Sequence, residues 1–195
     1  MYSMKMKPTG SLFSFIVFFL LAFSFQKAVA QDVYICVWRN PERTMRKIFK
    51  DAKDYKTMTK KISEEQLARI ENKIGFDVLP GQREIYQYFE MTGSGGETIG
   101  NIIAVSQKGQ YGAVEFVFGI DNSNIIKEIY IQRARERDNT FKKREFLGLF
   151  PGKGLDDIDL IGKLYKGKKT PGTTAVIRGI KKALAAFDVL VVKNK

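Results

Sequence analysis

Four runs constrain the fold more than anything else in the chain: EIYQYFEM (84–91), TIGNIIAV (98–105), GAVEFVFGI (112–120) and IIKEIYIQ (125–132). Each is dense in β-branched and aromatic residues, and TGSGGE, SQKGQY and DNSN divide them. Such short polar turns suit an antiparallel meander with one face on the core. The glycine-rich TGSGGETIG has no Gly-Lys-Ser/Thr ending and no helical pattern after it, so it reads as a hairpin and not as a nucleotide loop.

Helical patterns flank these strands. Asn40-Pro41-Glu42 combines an N-cap side chain, a proline at the first helical position and an acid in the first turn, with Met45, Ile48 and Phe49 on one face. SEEQLARIENKIG places Ser63 and Gln66 at capping-box spacing, Leu67, Ile70 and Ile74 in a stripe, and Gly75 at the end. A further helix is expected from Thr140 (FKKREFLGLF), and a last one has Val176, Ile177, Ile180, Ala183, Leu184 and Phe187 on its apolar face, opposite Arg178, Lys181 and Lys182. The tail VLVV is a closing strand or a packed terminal segment. The expected class is α+β: an antiparallel sheet of about four strands, with two N-terminal helices and a C-terminal helix packed on it.

The first thirty residues stand apart. Lys5 and Lys7 precede an uncharged stretch whose apolar core, Leu12 to Phe25, has 14 residues, and Ala28-Val29-Ala30 follows. That is the layout of a secretory signal, and its core is shorter than the ~20 residues that cross a bilayer. The reading is a secretory signal (or an N-terminal membrane anchor) over 1–30 and a single domain over 31–195, exported to the periplasm or otherwise outside the cytoplasm.

Loss of Lys5, Lys7 and Lys27 on cleavage takes the net charge from +12 to +9, a balance that attracts phosphates, anionic lipid or an acidic protein. Local basic clusters stand at 142–144 and 166–169. Nothing resembles an RNA-binding pattern, so nucleic acid is not expected as a partner. Cys36 is the only cysteine, which rules out an internal disulfide, and the absence of histidine rules out Ser-His-Asp and Cys-His catalysis. The acid pairs Glu64/Glu65 and Asp156/Asp157 read as solvated. Any redox chemistry therefore has to come from an organic cofactor.

One turn invites a ligand. KKTPGTTAV (168–176) opens into the last helix, whose first turn has unpartnered N–H groups and a partial positive charge. Gly172, the hydroxyls of Thr173 and Thr174, and Lys166, Lys168 and Lys169 could cradle a phosphate. The same residues also make an ordinary helix start, with Thr173 or Thr174 as N-cap and Pro171-Gly172 as the turn before it.

In order along the chain, NPERTMRKIF, ISEEQLARIENKIG, VEFVFGIDNSNIIKEIYIQRARE, FKKREFLGLFPGK and PGTTAVIRGIKKAL resemble the periplasmic FMN-binding domain of the small flavin subunits of sodium-pumping NADH:quinone reductase and Rnf-type complexes. The resemblance implies an FMN-binding electron carrier in a membrane-associated or periplasmic redox chain, and not a stand-alone catalyst. It implies a redox partner protein or membrane electron-transport complex. It places the family's Ser/Thr-Gly-Ala-Thr segment on Pro171-Gly172-Thr173-Thr174, so Thr174 would carry FMN by a phosphoester made by a separate flavin transferase. Proline and Thr173 replace the family's Ser/Thr and Ala there, and Lys168 stands in for an acid; reversible FMN binding is the alternative to attachment. Lys169, Glu136 and Lys153 complete the implied site, with Phe150, Leu164 and Tyr165 as surface for the flavin ring. The rival expectation is a flavin-free member of the same fold, used as a basic module for a partner protein or an anionic membrane surface.

Overall fold

The computed structural model describes residues 42–193. The segment 1–30, Asn40-Pro41 and Cys36 lie outside the described residues. Five strands form one sheet, each antiparallel to the next in the order β1-β2-β3-β4-β5: β1 (Asp54–Lys61), β2 (Ile85–Thr92), β3 (Thr98–Lys108), β4 (Ala113–Ile120) and β5 (Ile126–Arg133). The four apolar runs are β2 to β5. The additional strand, DYKTMTKK, is almost wholly polar, with exposed and half-buried residues along it. An edge strand needs only backbone pairing on one side, and β1 has it through the eight-residue register from Asp54↔Thr92 to Lys61↔Ile85.

Helices cover both faces of the sheet, where one buried face was expected. Helix α1 (Glu42–Ile48) and the following Phe49 pack Met45, Ile48 and Phe49 against Ile102, Ala104 and Val117. Gly119 admits this contact, since a Cβ there would lie 2.4 Å from Ile48 Cγ2. On the other face, α5 (Pro171–Phe187), which follows the short α4 (Ile158–Leu164), sets Val176, Ile180 and Leu184 over Val105, Phe116 and Phe118. Helix α2 (Glu64–Ile74) adds Ile70 and Ile74 to that core, with the Ser63/Gln66 capping box and the left-handed Gly75 (φ 76°) that its sequence predicts. The two N-terminal helices therefore lie on opposite sides of the sheet.

Two local expectations change, and a third is decided between its alternatives. The helix expected from Thr140 is a 3-10 turn (Thr140–Lys142) followed by the single-turn α3 (Arg144–Leu147), because Lys143 between them is extended (ψ 146°). Of the two readings of the tail, the packed terminal segment holds: Asp188–Val192 continues α5 as a π-helical turn and buries Val189, Leu190 and Val191. Lys182 is not on the solvent side of α5. It is 1% exposed, and its Nζ donates to Gln82 Oε1 (2.7 Å) and the Ser106 carbonyl (3.0 Å). Among the described residues no helix is long and apolar enough to cross a membrane.

Asp188 ties this helix end to α2. It is buried, and it accepts from Lys73 (2.6 Å) and pairs with Lys193 (3.1 Å). Burial pushes its carboxyl up, but the hydrogen bonds and charges of the two lysines outweigh that and hold it below the usual range. Because the folded pKa is below the unfolded ~3.9, the stabilisation is full above that value and is lost as pH falls through the folded pKa. Asp188→Asn is expected to cost about 2 kcal/mol at pH 7. In urea melts the gap between variant and wild type should narrow as pH falls below the unfolded ~3.9; a gap independent of pH would contradict this account.

Candidate functional site

The turn at 168–174 folds as a closed capping box. Thr170, not Thr173 or Thr174, is the N-cap of α5 (φ −114°, ψ 164°), so Pro171 takes the first helical position, which suits its fixed φ and missing N–H. The Thr173 N–H donates to Thr170 Oγ1 (3.2 Å), the Thr170 N–H donates to Thr173 Oγ1 (2.8 Å), and that hydroxyl donates to the Thr170 carbonyl (3.0 Å). Thr170 Oγ1 in turn donates to Asp138 Oδ2 at 2.6 Å, while Asp138 Oδ1 accepts the Thr140 N–H at 2.8 Å. Burial raises the Asp138 pKa, but the hydrogen bonds from Thr140 and Thr170, helped by Lys143, prevail and lower it. An ionised carboxylate thus already sits at the positive end of the helix.

These contacts test whether the turn fits an FMN phosphate. Thr173 is fully buried and both its N–H and hydroxyl are committed. Gly172 is buried against Phe141, whose Cδ1 a Cβ would meet at 2.2 Å, so its lack of a side chain serves helix packing and not close approach to a ligand. With Asp138 adjacent, the turn does not fit a reversibly bound phosphate at Gly172–Thr173. Thr174 differs: it is half-buried, its N–H continues the helix to the Thr170 carbonyl, and its hydroxyl makes no hydrogen bond with a described residue. Lys169 is exposed, as are Lys166 and Lys168.

The remaining implied residues do not converge on this turn. Glu136 is 7% exposed, so it is no surface charge; its Oε1 accepts the N–H groups of Gln110 (2.8 Å) and Tyr111 (3.0 Å) and fastens the β3–β4 turn. The Lys153 carbonyl accepts the Ile126 N–H (2.8 Å), at the far end of β5 from Glu136. The eight residues of β5 separate the two anchor points by roughly 20 Å. Phe150 is fully buried in an aromatic cluster in which Phe146 meets Phe150 at 5.3 Å and Tyr165 at 5.0 Å, so of the proposed ring surface only the half-buried Leu164 and Tyr165 reach solvent.

A sizeable open groove lies elsewhere. A groove of about 930 Å³ runs along β5 and is walled by the segment from Lys142 to Pro151; no residue of 169–174 lines it. Lys127 and Arg133 come from the strand, and Lys142 and Arg144 from the wall, against the single acid Glu128. Glu128 is itself engaged by the Tyr130 hydroxyl at 2.6 Å, a bond that pushes the Tyr130 pKa up to about 12. Gln132, also in the lining, has a buried Oε1 without a hydrogen-bond partner. The basic cluster at 142–144 signals one wall in the sequence, but only the tertiary fold brings it to the same groove as Lys127 and Arg133. Neither a protein-family profile nor a curated protein matches the chain.

Proposed function

We propose that this domain is an exported basic interaction module, which uses the β5 groove to hold an anionic partner. The observation that carries the reading is a lining with Arg133, Lys142 and Arg144 around one internally engaged acid, joined by Lys127, whose ammonium rests over the Phe49 ring at 5.1 Å. Such a site gathers anionic ligands by steering and close charge pairing, and its affinity falls with salt. The test is retention of the exported protein on immobilised polyglutamate and on phosphatidylserine vesicles. Retention at ~20 mM salt that is lost near ~0.5 M, and that drops about tenfold in Lys142→Glu/Arg144→Glu, is expected. Retention indifferent to both changes would remove the reading.

A second reading rests on Thr174. Its unengaged, half-buried hydroxyl, together with the family resemblance, supports an FMN electron carrier with flavin joined to Thr174 Oγ1 by a flavin transferase, serving a membrane redox complex. Protein made beside such a transferase and precipitated with acid distinguishes the two readings. A yellow pellet that is lost in Thr174→Ala supports the carrier, and a colourless pellet sinks it.

A further inference from the structure

We infer that the β5 groove takes an extended acidic peptide segment as a sixth strand. This rests on the basic-module reading and names the partner's chemistry and its mode of binding. Strand β5 is an edge of the sheet, hydrogen-bonded to β4 alone. At its start the outer edge is closed by the loop: the Ile126 N–H donates to the Lys153 carbonyl and the Gly152 N–H to the Ile126 carbonyl. Beyond Ile126, the outer edge from Lys127 to Arg133 takes no backbone hydrogen bond from any other described segment. The groove lies along that open stretch. An incoming strand needs a lane about 4.8 Å from β5, and seven residues offer roughly 20 Å of edge, enough for a six- to seven-residue segment.

Charge decides the occupant. Cations on an edge strand are also a common defence against unwanted pairing, and Lys127 and Arg133 taken alone would fit that role. Lys142 and Arg144 belong to the opposite wall, which needs no such defence, and they make the lane basic on both sides. A second copy of the chain would bring a like-charged edge to this lane, whereas an acidic strand complements it.

Fluorescence anisotropy of the exported protein with a labelled, end-capped Glu-Thr octapeptide (ETETETET) tests the inference. The control is the same peptide N-methylated at alternate residues, which keeps the charge but removes the donors along one edge. Binding of the first peptide, at least tenfold weaker for the methylated form and for Lys142→Glu/Arg144→Glu, is expected. Both residues are exposed, so an unchanged thermal melt verifies that the variant folds. Equal binding of the two peptides overturns strand addition. Charge-dependent retention on phosphatidylserine vesicles without peptide binding overturns it too, while leaving the basic module standing; failure on peptide, polyglutamate and vesicles alike overturns both.

Discussion

Phe116→Ala is expected to lower the stability of the domain by about 3–5 kcal/mol, a fall of roughly 10 °C or more in Tm. The ring is wholly buried between the sheet and α5, and it stacks beside Phe118 with centroids 6.4 Å apart. It also defines how closely the helix approaches, because a Cβ on Gly179 would meet Phe116 Cζ at 2.8 Å and Val105 Cγ1 at 2.9 Å. Gly179→Ala therefore sets two effects against each other. Helix propensity favours alanine by ~1 kcal/mol, while overpacking costs ~1–3 kcal/mol, so the clash should prevail by about 1 kcal/mol. Once Phe116 is alanine the clash with its ring is gone and only the Val105 contact remains, so the same change should cost less than in the wild type or become neutral. Urea denaturation of the four proteins should give a coupling of about 1–2 kcal/mol; additivity within ~0.5 kcal/mol would show that the ring is not the obstacle.

Lys182→Ala is the second large effect, at about 3 kcal/mol. The substitution deletes a buried stem and leaves Gln82 Oε1 without its lysine donor, while the Ser106 carbonyl keeps only the longer bond from Gln82 Nε2 (3.2 Å); a stranded buried acceptor costs ~1–3 kcal/mol. Lys182→Met keeps most of the volume, so it should recover part of the loss, about 1 kcal/mol or more. The exposed Lys168→Ala should stay within ~0.5 kcal/mol of wild type. A Lys182→Ala variant as stable as Lys168→Ala in the same urea melts would refute the idea that this ammonium organises the core.

The burial of Lys182 shows where sequence reading stops. Its spacing from Ala175, Gly179 and Ala186 is helical, and all four are buried on α5. That small-residue stripe marks a close approach to the sheet, but a lysine within it resembles a residue at the edge of the solvent face. Gln82 and Ser106, which come from distant segments of the chain, help make its burial tolerable. Likewise β1 carries too little apolar alternation to announce itself, and it becomes a strand because β2 offers a full register of backbone partners.

The candidate site divides along the same line. Thr170, Pro171 and Thr173 hold a capping box that three-residue spacing encodes, yet Thr173 and Thr174 offer equally good hydroxyls, so local pattern places the N-cap three or four residues late. Asp138, which turns the helix end from an anion cradle into a satisfied cap, is 32 residues from Thr170 and is invisible to local pattern. The sequence alone determined β2 to β5, the capped α2 and the apolar face of α5, because periodicity records which side of an element leaves water. Tertiary structure decided which polar groups find partners and which cations face one another across β5, because those pairings join residues far apart in the chain and depend on distances that no local spacing contains.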